Sequence, residues 1–189
     1  MALHVERTAI PDVTVVSPTV FDDPRGFFME TFHAEKYRQA GIDRTFVQDN
    51  CSRSCQGTLR GLHFQLRHPQ AKLVSVTWGT VFDVAVDIRV GSPTFGRWVG
   101  QMLSDANRKQ MFVPEGFAHG FCVISARADV LYKCSDYYDP GDDGGLLWRD
   151  TDVGIEWPVG EPLVSEKDRN YPRLRDLPAD RLPAFSRPN

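Results

Sequence analysis

The fold is decided by the stretch Leu59-Arg60-Gly61-Leu62-His63-Phe64-Gln65. Its apolar residues and mid-stretch glycine predict a short strand over Thr58–Gln65, in which Gly61 marks a close approach by ligand or backbone. Side chains two positions apart share a face of a strand, so His63 and Gln65 point the same way. A histidine on the inner face of a sheet, with an arginine three residues before it, suits removal of a proton from a bound anion. A core histidine satisfied by hydrogen bonds is the alternative.

Composition indicates one globular domain spanning residues 1–189. The chain is 41% hydrophobic and 25% charged, which is enough to build a real core. The net charge of -3 argues against a nucleic-acid surface, and no apolar run is long enough to span a bilayer. The N-terminus has neither the basic nor the apolar region of a secretory signal. We therefore expect a cytoplasmic protein with no nucleic-acid or membrane partner.

The four cysteines are expected to be reduced thiols. Cys51 and Cys55 have no second Cys/His pair nearby, so they make a weak zinc site. Free thiols are the usual state in a cytoplasmic protein.

Short strands separated by turn residues predict an all-β sandwich or barrel. A single helix is predicted over Ala34–Ala40, ended by Gly41. Two runs separated by Gly79-Thr80 predict a hairpin, and in the second run an ion pair with Arg89 is the structural interpretation of Asp83 and Asp87. Strands are expected at Val13–Val20 (an edge strand, because of Pro18), after the Asp23-Pro24-Arg25-Gly26 turn, and at Phe46–Ser52, Lys72–Trp78, Val81–Ile88, Trp98–Leu103, Met111–Val113, Gly120–Ile124 and Val130–Tyr138.

A second informative stretch is Pro114-Glu115-Gly116-Phe117-Ala118-His119. The pattern Pro-x-Gly-x-x-His before a strand is similar to the second motif of cupins, which are small jelly-roll barrels. Metal-binding cupins carry two histidines and a glutamate in their first motif, whereas here His63 is followed by Gln65. Three protein ligands are the usual minimum for a catalytic metal, so we expect a jelly roll with no metal and no cofactor.

An ordered set of motifs resembles the family of dTDP-4-dehydrorhamnose 3,5-epimerases. The resemblance runs from about Thr14 to about Leu177, which leaves a Pro- and Arg-rich tail over residues 178–189. The motifs are Asp23-Pro-Arg25-Gly-Phe-Phe-Met-Glu30, Gln48-Asp49-Asn50, Leu59–Gln65, Lys72-Leu-Val, Pro114–Phe121, Leu131-Tyr132-Lys133, Tyr137-Tyr138-x-Pro140, Trp157-Pro158 and Ser165-Glu-Lys167-Asp168.

The resemblance implies a cofactor-free jelly-roll homodimer acting on a dTDP-4-keto-6-deoxyhexose. The reaction would invert C3 and C5 of dTDP-4-dehydro-6-deoxy-D-glucose to give dTDP-4-dehydro-L-rhamnose. His63 matches the base, Asp168 its partner, Tyr132 the proton donor, and Lys72 the cation near the 4-keto oxygen. Asp143 stands where the family usually has a glutamate followed by Arg-Gly. The substrate contacts implied are Arg25, Glu30, Gln48, Asp49, Asn50, Arg60, His119, Asp143 and Lys167.

The chemistry of such a reaction asks for these residue types. A proton next to a ketone is removable only if the enolate is stabilised, and one cation at the oxygen is worth roughly 3–4 kcal/mol. Lys72 or Arg60 fits that part, and a histidine titrates near the operating pH. Pyrophosphate calls for arginine and lysine donors. Thymine calls for an aromatic platform, for which the candidates are Phe21, Phe28 and Tyr138.

Three rival functions share these residues in part. A monoepimerase would act at C3 or at C5 alone, and a 3,4-ketoisomerase of the same fold is disfavoured by the matches of His63, Asp168 and Tyr132. A metal cupin or a non-catalytic sugar-binding cupin is the rival from another class. Dimerisation is expected because an edge strand at Val13–Val20 needs a partner across a two-fold axis.

Overall fold

Thirteen β-strands and two short helices make up the computed structural model, which describes residues 3–186. The helices are α1 (Ala34–Gln39) and α2 (Glu166–Arg169), and short 3-10 turns cover Pro140–Asp142, Leu174–Asp176 and Ala179–Arg181. The strands are β1 (Leu3–Arg7), β2 (Thr14–Pro18), β3 (Val20–Asp23), β4 (Gly26–Met29), β5 (Gln48–Cys55), β6 (Leu59–Gln65), β7 (Lys72–Trp78), β8 (Thr80–Asp87), β9 (Trp98–Ser104), β10 (Gln110–Val113), β11 (Phe117–Val123), β12 (Arg127–Cys134) and β13 (Asp143–Gly145). The all-β prediction is confirmed. No helix in this part of the chain is long and apolar enough to cross a membrane.

Two antiparallel sheets face each other across the main core. The six-stranded sheet has the order β1-β2-β10-β7-β12-β5, and the five-stranded sheet has the order β13-β6-β11-β8-β9. Alternate side chains of both sheets fill the space between them, such as Val74 and Val130 from one sheet and Ala85 and Phe121 from the other. The outer face of the five-stranded sheet is covered by Leu174 and other C-terminal residues, which bury it as well. This second cover explains why β11 is buried along its whole length.

The strand predicted at Val13–Val20 is not an edge strand, contrary to the prediction. It runs only over Thr14–Pro18 and pairs on one side with Leu3–Arg7 and on the other with Gln110–Val113. Pro18 is tolerated because it is the last residue of the strand, where few ladder bonds are lost. The edges of this sheet are β1 and β5.

The predicted hairpin around Gly79 is also wrong. β7 and β8 follow each other in the chain but belong to different sheets, so the turn carries the chain from one sheet to the other. Gly79 has a φ of 78°, and a Cβ there would meet the backbone of Arg127, which is why a glycine is required.

Several local predictions hold closely. Lys72–Trp78 is a strand with the predicted bounds, and α1 ends just before Gly41, which has the positive φ of a helix-ending glycine. Asp87 pairs with Arg89 as expected, but Asp83 does not. The strand predicted to reach Tyr138 ends at Cys134.

Gly61 lies against the backbone of the neighbouring strand, so the close approach predicted for it is made to protein. A Cβ at Gly61 would lie 2.6 Å from the Cα of Gly120, and its φ is 125°. The pairing of β6 with β11 shifts register at this point, between His119 and Phe121. A bulge of this kind re-aims side chains, and here it lets both Arg60 and His63 reach one cavity.

Candidate active site

A cavity of about 540 Å³ opens between the two sheets. A second cavity of about 300 Å³ adjoins it. The two share His63, Lys72, Tyr132 and Lys167 as lining residues. Residues of the motifs identified in the sequence therefore line both cavities.

His63 and Asp168 form a hydrogen-bonded pair at this cavity. Nε2 of His63 lies 2.9 Å from Oδ1 of Asp168, and the Gly61 amide donates to Oδ2 at 3.1 Å. Asp168 is buried because helix α2 packs over β6, and that helix is capped by Ser165, whose hydroxyl accepts from the Asp168 amide at 3.1 Å. The pair thus joins residues 105 positions apart.

The protonation of this pair follows from its surroundings. Burial raises the pKa of Asp168, but hydrogen bonds from His63 and Gly61, and the positive charge that His63 carries when protonated, outweigh it, so the pKa lies below its usual range. An ionised carboxylate only accepts, so Nε2 of His63 carries the hydrogen. Nδ1 is then the unprotonated nitrogen, and the side chain, 34% exposed, is open to the cavity as a base.

Tyr132 and Lys72 approach the cavity from the facing sheet. Tyr132 lies on β12 opposite Val74 on one side and Asn50 on the other. Burial raises the pKa of its phenol, so it is a proton donor at neutral pH. Burial lowers the pKa of Lys72, and the neighbouring Cys134 and the negative charge of Asp83 act in the opposite direction. A side chain able to accept a proton and one able to donate a proton therefore stand on opposite walls of one cavity.

A second histidine–aspartate pair lies beside the first. His119 is the cross-strand neighbour of His63, and its Nε2 lies 2.8 Å from Oδ1 of Asp83. Both members are buried, at 6% and 0% side-chain exposure. Sequence reasoning found His119 but missed Asp83, for which the alternation along β8 offered only Arg89 as a partner.

Basic side chains surround the outer part of the cavity. Arg60 donates from Nε to the hydroxyl of Ser54 at 3.0 Å, which leaves its other guanidinium nitrogens for a ligand. Arg169 lines the same cavity and was not among the predicted residues. The signal for it was its position directly after Asp168 in the capped helix. Anionic ligands are favoured by this arrangement.

The adjoining cavity is lined by two hydrogen-bonded side-chain amides and an aromatic ring. Gln48 donates to Asn50 at 3.1 Å and accepts from the amide of Tyr138 at 3.0 Å. The Tyr138 hydroxyl donates to Asp143 at 3.0 Å, and Asp143 also forms an ion pair with Lys167. The ring of Tyr138 is thereby held at the cavity, half-exposed.

Gln65 fixes the loop that carries this ring. Its side chain donates to the carbonyls of His68 and Tyr137 and accepts from the amide of Asp139 at 2.8 Å. The residue that stands where a metal cupin has a second histidine therefore has a structural task. In the part of the chain that the structure describes, no group of three or more His, Cys, Asp or Glu side chains could hold a metal ion.

Comparison with known proteins decides the family. The sequence model of the dTDP-4-dehydrorhamnose 3,5-epimerases matches residues 7–176. The chain belongs to this family. It is 56% identical over 167 residues to the dTDP-4-dehydrorhamnose 3,5-epimerase of Neisseria gonorrhoeae, which covers 88% of this chain and 51% of that protein. It is 52% identical to the enzyme of the same name from Shigella flexneri, over 92% of this chain and 97% of that one.

Solved structures of the family share the fold. The dTDP-6-deoxy-D-glucose-3,5-epimerase of Legionella pneumophila, in complex with dTDP-4-keto-L-rhamnose, has a TM-score of 0.96 and 48% identity, and the match covers 98% of this chain and 100% of that one. The fold is the cupin jelly roll, as predicted. The chain spans about half the length of the Neisseria relative and nearly all of the Shigella one.

Three substrate contacts implied by the family resemblance, and two of the aromatic candidates for the thymine platform, lie away from this cavity within a single chain. The side chain of Asp49 pairs with Lys133 on the outer face of the six-stranded sheet. The others belong to the β3–β4 hairpin or the segment after it, and none lines either cavity. Arg25 pairs with Asp23 and Glu30 with Lys36, and the two aromatic residues are exposed; the residues concerned are Phe21, Arg25, Phe28 and Glu30.

Proposed function

We propose that this member of the 3,5-epimerase family inverts C3 and C5 of dTDP-4-dehydro-6-deoxy-D-glucose and gives dTDP-4-dehydro-L-rhamnose. One observation carries the proposal: a histidine oriented by a carboxylate at 2.9 Å stands on one sheet, and a protonated tyrosine stands on the facing sheet of the same cavity. Inversion at carbon needs a base and an acid on opposite faces of the sugar ring, and the two walls supply them.

Each inversion divides into two proton transfers. Nδ1 of His63 takes the proton from the carbon next to the ketone, and the electron pair left behind moves to the 4-keto oxygen. Lys72 stabilises that oxyanion, and Asp168 stabilises the imidazolium. Tyr132 then protonates the opposite face of the carbon and the ketone re-forms. Exchange with water returns His63 to the neutral form and gives Tyr132 its proton back before the second carbon reacts.

The outer part of the first cavity and the adjoining cavity together have the chemistry of a nucleoside-diphosphate site. Arg60 and Arg169 suit the pyrophosphate, and the exposed ring of Tyr138 suits stacking on thymine. Lys167 is ion-paired with Asp143, so it can bind the ligand only if its ammonium group contacts Asp143 and the ligand together. The other nucleotide or sugar contacts in this proposal are Gln48, Asn50 and His119.

Proton NMR in deuterated water tests the proposal. With dTDP-4-keto-6-deoxyglucose, we expect deuterium at both C3 and C5 and the L-rhamno product. Exchange and inversion at one carbon alone would instead mean a monoepimerase. No exchange at either carbon, or stoichiometric iron, manganese or zinc in the purified active protein, would count against the mechanism.

Alanine at Arg60 and at Lys72 should weaken the enzyme in different ways. Arg60→Ala removes a phosphate or sugar contact that is present in both the bound and the transition state, so KM should rise by about tenfold with kcat nearly unchanged. Lys72→Ala removes a charge that matters when the oxyanion forms, so kcat should fall by about 10²-fold. Steady-state kinetics separates the two, and equal, small effects from both would mean that the oxyanion lies elsewhere.

We also propose that the active protein is a homodimer in which the β3–β4 hairpin of one chain reaches the cavity of the other. The hairpin presents apolar rings to solvent, with Phe27 at 56% and Phe28 at 63% exposure. Arg108, in the loop between β9 and β10, stacks on Phe27 at 3.9 Å and pairs with Asp22, so the position of the hairpin is fixed. A second copy that covers these rings would bring Arg25 and Glu30 to a substrate, as the family resemblance requires.

Subunit complementation gives this arrangement a sharp test. Arg25→Ala and His63→Ala should each be strongly impaired alone. After unfolding and refolding together, half of the chains would form mixed dimers, each with one cavity that has an intact His63 and an intact Arg25 from the other chain. Activity should therefore return to about one quarter of the parent level. Light scattering that shows a monomer at micromolar concentration, or a mixture no more active than its parts, would contradict the proposal.

A further inference from the structure

Asp83 is a buried carboxylate with one oxygen bonded and one not. Its Oδ1 meets Nε2 of His119 at 2.8 Å, and its side chain is 0% exposed. Among residues 3–186, no hydrogen-bond partner reaches Oδ2. Two residue positions further along the same face comes Ala85, and then Asp87, whose carboxylate is bonded by Arg89, Ser92 and Thr94. Asp83 and Asp87 are thus both buried on one strand, but only the Asp87 carboxylate is fully hydrogen-bonded. A buried charge that lacks such compensation destabilises the fold, so the difference indicates that Asp83 has a role other than stability.

A source of compensation for Asp83 is available on the facing sheet. Lys72 lies on β7 and lines the cavity that His119 lines from β11. Burial lowers the pKa of Lys72, while the negative charge of Asp83 counteracts that effect. No hydrogen bond fixes the Lys72 ammonium within the described residues, so it is free to turn toward a substrate oxygen while Asp83 acts on it through space.

We propose that Asp83 is a positioning residue for the reaction: its Oδ1 holds His119 in the form protonated at Nε2, and its Oδ2 gives the Lys72 ammonium its counter-charge inside the barrel. His119 then presents Nδ1 to the cavity as an acceptor for a sugar hydroxyl. Lys72 stays cationic where an oxyanion develops. The catalytic consequence rests on the proposed function, but the coupling between the two charges is a property of the resting protein and can be measured without turnover.

Titration of Lys72 by NMR measures the coupling directly. The chain has five lysines, so the Cε signals of protein labelled with ¹³C-lysine can be assigned by substitution. Asp83→Asn should lower the pKa of Lys72 by about one pH unit or more, the effect of a unit charge removed from a partly buried site. The matched control is Asp87→Asn, which also neutralises a fully buried carboxylate of β8 but one bonded to Arg89. The other ionisable groups around Lys72 are unchanged in both variants: Arg60, His63, His119, Tyr132, Cys134, Asp143 and Lys167.

Kinetics of the same variants tests the role in the reaction. Asp83→Asn should lower kcat by about 10-fold to 10²-fold with little change in KM, and the alkaline limb of the kcat profile should move to lower pH by the shift found for Lys72. Asp87→Asn should lower the melting temperature and leave both the limb and the Lys72 titration in place. A Lys72 shift of less than about half a unit in Asp83→Asn, or an equal shift in Asp87→Asn, overturns the proposal.

A reciprocal variant keeps the test usable if Asp83→Asn does not fold. Lys72→Gln removes the counter-charge instead, so the pKa of Asp83, followed by its carboxyl ¹³C shift, should rise by the same amount, because coupling between two sites is reciprocal. An unchanged Asp83 titration in Lys72→Gln overturns the proposal. If the parent protein shows the coupling yet fails to exchange C3 or C5 protons, the proposed function fails while the coupling stands.

Discussion

The His63→Ala variant is expected to lose both product formation and solvent deuterium exchange. Nδ1 of His63 is the base in the proposed reaction, and an alanine offers nothing that could take the proton. The loss should be about 10³-fold or more, at the upper end of what a general base contributes. Proton NMR of dTDP-4-keto-6-deoxyglucose in deuterated water measures exchange and product in one experiment.

His68→Ala is the matched control for this variant. It removes the same side chain from the loop after β6, where His68 is half-exposed and lines neither cavity of the site. Its rate should stay within about twofold of the parent, as for most surface substitutions away from a site. If His63→Ala still exchanges deuterium at C3 or C5 near the parent rate, His63 is not the base.

Asp168→Asn tests the orienting half of the same pair. The asparagine oxygen can still accept the hydrogen bond from Nε2, which should keep the imidazole in position, although the NH2 group cannot accept the hydrogen bond that the Gly61 amide donates to Oδ2 of Asp168. It brings no negative charge, so the imidazolium that forms during the reaction loses its stabilisation, and kcat should fall by about 10²-fold or more. Exchange and product should fall together, since both follow the same deprotonation.

Local patterns in the sequence were sufficient to find most strands, because the alternation of polar and apolar residues lies within the strand's own sequence. Lys72–Trp78 alternates and is bounded by turn residues, and Gly41 ends a helix by its own backbone freedom. Gly61 was predicted to mark a close approach, and it faces Gly120. Each of these features depends on residues within one turn or one strand.

Partners across the fold were not predictable in the same way. The strand at Thr14–Pro18 reads as an edge, yet Gln110–Val113 closes its free side, and nothing in its own sequence records that partner. Gly79 looks like a hairpin turn, since a turn that joins two sheets uses the same residue for the same reason. Asp83 and Asp87 look alike from the sequence, because alternation gives the face and not the neighbour.

The site shows the same limit. The pair His63–Asp168 spans 105 positions and was reached only through the resemblance to a family. That resemblance also named Arg25 and Glu30, which the fold of a single chain keeps away from the cavity. A motif records that a residue meets the substrate and does not record which copy of the chain supplies it. In the proposed dimer, the other copy of the chain would supply Arg25 and Glu30.

Tyr132→Phe is expected to separate deprotonation from inversion. The phenylalanine keeps an aromatic ring at this position of β12, whose cross-strand neighbours are Val74 and Asn50, but it has no hydroxyl proton to donate. His63 and Lys72 remain, so the enolate still forms, and His63 can return a deuteron to the face from which it took the proton. Deuterium should therefore appear in recovered substrate at close to the parent rate, while inverted product falls by about 10²-fold to 10⁴-fold, the usual contribution of a general acid.

The opposite placement of the two residues is what makes this outcome diagnostic. If His63 and Tyr132 stood on one wall, loss of the tyrosine would slow exchange and inversion alike, because a single face would serve both steps. Tyr137→Phe, at an exposed tyrosine that lines neither cavity, controls for the loss of a hydroxyl and should leave exchange and inversion coupled. A Tyr132→Phe enzyme that inverts at the parent rate would show that the proton comes from another group or from water. One that neither exchanges nor inverts would show that Tyr132 is needed for deprotonation itself, and the division of labour between the two sheets would then be wrong.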